Sequence, residues 1–154
     1  MDDMMDIYPE AWQTDAFVGE NANFYKRKWG EHPGKYYKGW NWVPLFFCIE
    51  WMVYRKLYAE AFIIFLAAIG INLLFDILFP LSSARWGDTA RILGPIFGNA
   101  LYYMKFARAL KKSSSMAQAD RKEYLRKRGG VNVMALIIVV LIEIFIVYLQ
   151  FNYL

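Results

Sequence analysis

The stretch LYAEAFIIFLAAIGINLLFDILFPL, residues 57–81, decides the fold class of this chain. Its polar side chains are few and widely spaced among long apolar ones. As an α-helix the stretch would extend about 37 Å at about 1.5 Å per residue, which exceeds the roughly 30 Å hydrocarbon core of a bilayer. It therefore predicts a transmembrane helix.

Two further stretches predict crossings, at about 90–110 and 131–154. The first is the weaker, because Lys105 and Arg108 lie near its end, although both side chains can snorkel to the headgroups. The composition agrees, since 58% hydrophobic residues in a 154-residue chain is more than a water-soluble domain of this size normally carries. We predict an all-α membrane protein with three transmembrane helices, preceded by an interfacial or re-entrant aromatic helix.

The aromatic helix is expected over residues 40–56, in WNWVPLFFCIEWMVYRKLY (40–58). Its apolar part stops at Arg55-Lys56 after about 14 residues, or roughly 21 Å as a helix, which is too short to cross. Amphipathic rings concentrate at the depth of the headgroups. The aromatic residues assigned to this interface are Trp40, Trp42, Trp51 and Tyr54. The alternative is a distorted fourth crossing.

Residues 1–38 form a polar arm, acidic at first and then basic, which lacks the pattern of a signal peptide. Aromatic side chains in the arm predict anchoring on a surface or a partner, because they bring large contact area at low entropic cost. Trp12 and Trp29 are the strongest of these candidates. The other anchors are Tyr8, Phe17, Phe24 and Tyr25. The membrane domain is expected to occupy residues 39–154.

Lysine and arginine collect on the cytoplasmic side of membrane proteins. All of them except Arg85 and Arg91 fall on one side if the chain enters from the cytoplasm and leaves its C-terminus outside. Between the last two spans, Ser115 and Gln118 resemble a capping box and Gly129-Gly130 a C-cap, so a basic surface helix is predicted at about 116–128. The residues expected to bind anionic lipid are Arg121, Lys122, Arg126, Lys127 and Arg128. A solvated loop that only sets orientation is the alternative.

Four polar residues inside the predicted spans are candidate functional groups, because ionisable and amide side chains are costly in lipid. They are Asn72, Asp76, Asn99 and Glu143, at depths that allow one polar layer. One hypothesis is a proton or ion relay. The favoured interpretation is hydrogen bonding between helices or to a partner subunit.

Ala90, Gly94 and Gly98 recur every four residues and predict a surface that another helix approaches closely. Enzyme signatures are absent from the sequence. Its single histidine, His32, lies in the polar arm, and its single cysteine, Cys48, is expected to be a buried apolar residue. We therefore expect no catalysis, no cofactor and no metal. Basic residues interleaved with aromatics before residue 40 are expected to meet headgroups or a partner rather than nucleic acid.

Two motifs resemble a family of small bacterial inner-membrane proteins that is defined only as a domain of unknown function. They lie in NWVPLFFCIEWMVYRKLY and FGNALYYMKFARALKK, and the resemblance covers about residues 36–112. The matching positions are Trp42, Phe46, Phe47, Trp51, Tyr54, Arg55, Lys56, Tyr58, Gly98, Asn99, Leu101, Tyr102, Lys111 and Lys112.

The chain departs from that family at two places. Cys48-Ile49 replaces the usual Gly-Pro, which predicts a more continuous interfacial helix, and Lys105 replaces a histidine, which argues against any role based on histidine. The resemblance implies a bacterial inner-membrane location but no activity.

The leading functional hypothesis is a non-catalytic accessory or structural subunit of a larger membrane complex, with other membrane-protein subunits as partners. A small oligomeric proton or ion transport protein that uses the intramembrane acids is the first alternative. A lipid-binding, membrane-shaping protein is the second.

Overall fold

The computed structural model describes residues 9–30, 42–79 and 89–153. Regular structure in these ranges is entirely α-helical, which confirms the all-α prediction. The helices are α1 (Ala11–Val18), α2 (Ala22–Gly30), α3 (Val43–Phe46), α4 (Cys48–Tyr54), α5 (Tyr58–Leu78), α6 (Thr89–Lys112), α7 (Gln118–Arg128) and α8 (Val133–Tyr153).

Two helices in the described part of the chain are long and apolar enough to cross a membrane. One is α5, and the other falls within Gln118–Asn152, where α8 supplies the apolar part. The predicted third crossing, at about 90–110, corresponds to α6, which does not meet the same criterion. The second half of α6 carries basic residues on one side and a buried face on the other.

That buried face lies in a helical head, which we define as α1, α2, α4, α7 and residues 101–112 of α6. Its centre is aromatic. The ring of Phe17 in α1 lies 4.9 Å from that of Phe106 and 5.5 Å from that of Tyr102, while Trp29 in α2 stacks on Phe106 at 5.1 Å. Burial of several aromatic rings is the main favourable contribution to packing here. The head is therefore held by contacts between the arm and α6.

Helix α1 also packs closely against the end of α7. Glu10 and Gln13 form a capping box at its start, and Gly19 ends it with a φ of 79°, a conformation that favours glycine. Gly129 abuts the backbone of Phe17, where a Cβ atom would overlap the carbonyl group. The adjacent Gly130 N–H donates to that same carbonyl oxygen at 2.6 Å. A side chain at position 129 is thus incompatible with this approach.

The segment predicted as one interfacial helix is broken instead. Helices α3 and α4 are separated by Phe47, whose φ of −134° and ψ of 61° interrupt the helical path. The prediction of a more continuous helix from Cys48-Ile49 is therefore wrong, since the chain bends one residue earlier so that α3 and α4 can both pack on α6. Trp40 lies outside the described residues.

Helix α7 begins later than its predicted cap. Ala117 is the N-cap residue and no side chain caps the helix, so the capping box expected from Ser115 and Gln118 does not form. At the other end the Gly129 N–H donates to the Leu125 carbonyl at 2.9 Å. The short turn 113–117 connects α6 to α7, and within it the Met116 N–H donates to the Ser113 carbonyl at 3.1 Å.

The start of α5, the end of α6 and the start of α8 meet at the head. Arg108 pairs with Glu60 at 3.5 Å, which places the end of α6 beside the first turn of α5. Asn132, just before α8, donates its backbone N–H to the Tyr54 carbonyl at 2.8 Å and its side-chain amide to the Tyr58 hydroxyl at 2.7 Å. Helices α5 and α8 therefore both originate at one end of the molecule.

Candidate interaction surfaces

Two of the predicted aromatic anchors of the arm, Trp12 and Trp29, are used within the chain, whereas Tyr8 lies outside the described residues. Trp29 is 4% exposed, and Trp12 is half-buried, with its Nε1 donating to Glu10 at 2.7 Å. Arg121 of α7 lies over the Trp12 ring at 6.0 Å. These two tryptophans therefore anchor the arm to its own α6 and α7.

The small-residue stripe of α6 also faces an internal neighbour. A Cβ atom at Gly94 would lie 2.7 Å from the Cys48 sulfur, and one at Gly98 would lie 3.0 Å from the Trp51 ring. The absence of side chains at these two positions lets α3 and α4 approach the α6 backbone. Ala90 belongs to α6, but its side chain is not among those that the structure describes.

The polar residues of the predicted spans occupy different surroundings. Asn99 is buried, whereas Asp76 and Glu143 are exposed. Asn72 is partly buried, and its Oδ1 atom has no hydrogen-bond partner. Helix α5 packs on both α4 and α6, and the main contact of α8 is also with α4. Helices α5 and α8 make no extensive contact with each other in the described part of the chain, so Glu143 lies on a helix that does not pack directly on the one that carries Asn72 and Asp76.

The basic surface of α7 is mostly exposed. Lys122, Arg126, Lys127 and Arg128 are open to solvent, while Arg121 is partly buried against Trp12. Lys127 pairs with Glu123 at 2.7 Å, one turn away. Four of the five residues assigned to anionic lipid are thus accessible, and the fifth contributes to the attachment of α1.

Arg55 has the most unusual surroundings of the basic residues described. Its side chain is 4% exposed, and its guanidinium carbon lies 5.2 Å from the ring centres of Tyr25 and Tyr102 and 5.6 Å from that of Tyr54. Burial raises the pKa of the Tyr25 hydroxyl, and the charge of Arg55 opposes this shift. Arg55 thus occupies a cage of three tyrosines.

A second cation supports the turn that carries Arg55. The Lys105 ammonium donates to the Arg55 carbonyl at 3.1 Å and to the Lys56 carbonyl at 2.9 Å. Burial lowers the pKa of Lys105, which lies outside the two candidate spans, to about 8, and the nearby charge of Glu60 opposes this shift. Because Lys56 has a φ of 59°, which is unfavourable for a residue with a side chain, these bonds help to hold a strained turn.

Within the described residues there is no group of three or more His, Cys, Asp or Glu side chains that could hold a metal ion. Comparison with known protein families, characterised proteins and solved structures gave no match. The family resemblance therefore stays a prediction.

Arg55 was predicted to end the interfacial segment and to match one of the two motifs, but its cage was not predicted. A signal was present, because Arg55 and Tyr102 belong to the two separate motifs that carried the resemblance. The fold brings these motifs together, with the rings of Trp51 and Tyr102 at 6.2 Å. Tyr25, from the arm, could not have been assigned to this site without knowing where the arm docks.

Proposed function

We propose that this protein is a non-catalytic integral subunit of a larger membrane assembly in a bacterial inner membrane. The head would lie on the cytoplasmic side, with α5 and α8 crossing the bilayer and α6 returning the chain to the head. The meeting of the basic helix ends at one end of the molecule supports this orientation, because positive residues favour the cytoplasm. The C-terminus would then lie outside.

The surface of α8 is the observation that carries the proposal. Every residue from 140 to 152 is exposed, and the packing of α8 within the chain is with α4, near its start. Such a long apolar surface must be covered by lipid or by protein. Glu143 lies at the middle of this exposed helix, and acidic residues at mid-span usually face protein or a water-filled cavity rather than lipid. We therefore assign the cover to another membrane subunit.

The alternatives receive less support from the geometry. An ion pathway would need the polar residues of the spans to converge, whereas Asp76 and Glu143 lie on α5 and α8, which make no extensive contact with each other in the described part of the chain. A membrane-shaping role would need a broad amphipathic surface, whereas α7 is a single short helix of 11 residues. We assign that α7 surface to attraction of anionic lipid at the cytoplasmic face.

Purification in a mild nonionic detergent tests the proposal. A photoreactive residue at Phe145, which is 58% exposed on α8, is expected to cross-link to a membrane subunit that also co-purifies in fixed stoichiometry. The same probe at Ser114, in the exposed turn before α7, is the matched control and should give little of this product. Cross-linking of Phe145 to lipid alone, with the chain recovered as a monomer, would contradict the proposal, and capture of a second copy would favour the oligomeric transport alternative.

A further inference from the structure

A cavity of about 330 Å³ lies between α2, α3 and α4, with Arg55 in its wall. Tyr25 and Asn21 border it on the arm side, and Trp51 borders it on the α4 side. We propose that this cavity binds a phosphate-bearing anion through the Arg55 guanidinium. None of the other surfaces described above combines a cavity with a buried cation.

The surroundings of Arg55 favour an oxyanion as its partner. Its Nε atom is buried without a hydrogen-bond partner, and among the described residues no carboxylate pairs with it. The tyrosine rings attract the cation, but a neutral ring or hydroxyl does not balance its charge, and the Nε atom has no acceptor. A buried charge without a counter-charge is strongly unfavourable, whereas a bidentate pair with an oxyanion satisfies both charge and hydrogen bonds.

The charges around the cavity favour an anion as well. Lys105 donates to the carbonyls of Arg55 and Lys56 in the turn, which adds positive charge there. Two acids of the same part of the molecule have cationic partners, because Asp15 pairs with Lys26 at 2.5 Å and Glu60 pairs with Arg108. Tyr102, on the other side of the guanidinium, has a buried hydroxyl without a hydrogen-bond partner. The site therefore offers positive charge and hydrogen-bond donors in a space large enough for a phosphate ester.

The mouth of the cavity is apolar and exposed. Trp42 is 67% exposed, Val43 is 52% exposed and Phe24 is 38% exposed, and all three line the opening. A phosphate group attached to an apolar body could therefore place its charge on Arg55 and its body on Trp42. The same phosphate chemistry is present in free inorganic phosphate, so the source must be distinguished by experiment.

Calorimetric titration of the full chain in nonionic detergent tests the inference. The probes are inorganic phosphate, a short-chain phosphatidic acid and, as a neutral control, the matching diacylglycerol. At least one phosphate probe should bind and the diacylglycerol should not. Affinity should fall about tenfold or more in Arg55→Lys, which keeps the charge but loses the bidentate fork, and binding should be lost in Arg55→Met. Arg126→Met, on the exposed surface of α7, is the matched control and should bind as the unmodified chain does.

The two sources give different results. Tighter binding of phosphatidic acid than of inorganic phosphate, with a selective loss in Trp42→Ala, identifies a lipid headgroup, while equal affinities identify free phosphate. Because Trp42 is largely exposed, this variant should fold even if the Arg55 variants do not. The inference is overturned if neither phosphate probe binds, or if a folded Arg55→Met variant binds as the unmodified chain does. If the Arg55 variants do not fold, it is overturned when phosphatidic acid binds more tightly than free phosphate but Trp42→Ala leaves that binding unchanged.

Discussion

Replacement of Phe17 with alanine is expected to detach the arm from the rest of the head. The side chain is fully buried between Tyr102 and Phe106, and removal of a buried aromatic ring typically costs about 3–5 kcal/mol. That is comparable to the total stability of many small domains. Proteolysis of the turn between α1 and α2, at 19–21, should become much faster while α5 and α8 remain protected by detergent.

Phe24→Ala is the matched control for this experiment. Phe24 lies in the neighbouring helix α2, but it is 38% exposed and contacts Tyr25 and Lys28 at the surface. Its removal should change the rate of proteolysis only slightly. Equal rates for Phe17→Ala and the unmodified chain would show that the arm is held by contacts other than the aromatic core.

Replacement of Gly129 with alanine should have a comparably large effect through a single methyl group. The added Cβ would overlap the carbonyl of Phe17, and relief requires movement of backbone rather than of a flexible side chain. Overpacking of this kind costs about 1–3 kcal/mol. Hydrogen exchange measured by mass spectrometry should accelerate in the peptides that cover α1 and the end of α7, including the Gly130 N–H that donates to Phe17.

Gly70→Ala provides the control, because nothing lies within 4 Å of a Cβ atom at that position in α5. This change should leave exchange in the head unaltered and stabilise α5 slightly, by up to about 1 kcal/mol. Unaltered exchange in Gly129→Ala would mean that α1 and α7 do not approach as closely as described.

The apolar helices could be predicted from sequence because long uninterrupted apolar runs have few alternative structures. The predicted 57–81 and 131–154 correspond to α5, Tyr58–Leu78, and α8, Val133–Tyr153, with differences of a few residues at the ends. A single stretch of sequence is enough to predict such a helix, since a helix satisfies its own backbone hydrogen bonds and needs no distant partner for them.

The role of α6 was harder to predict because its two halves differ. Tyr102, Phe106 and Leu110 recur every four residues and are buried, while Lys105 and Arg108 lie between them. This is the pattern of an amphipathic helix with one face on a protein core. Its partner is the arm, which is distant in sequence. The apolar residues at about 90–110 therefore predicted a third span, and the aromatic anchors of the arm were assigned to a surface or a partner.

The glycines of α6 also show what local sequence cannot predict. Their spacing predicted close helix packing, and Gly94 and Gly98 do lie against a neighbouring backbone and side chain. Spacing alone does not identify the neighbour, which is the broken α3–α4 segment of the same chain. The break at Phe47 has no glycine or proline at the bend that would have predicted it.

Side-specific labelling of single cysteines tests the central claim, which is that the helical head lies on one side of a membrane crossed by α8. In a Cys48→Ser background, Arg27→Cys in α2 and Ser114→Cys before α7 should react with an impermeant maleimide from the same side of sealed vesicles. Phe151→Cys, at the exposed end of α8, should react only from the other side. Labelling of positions 27 and 114 from opposite sides, or of position 151 from the same side as both, would contradict the account.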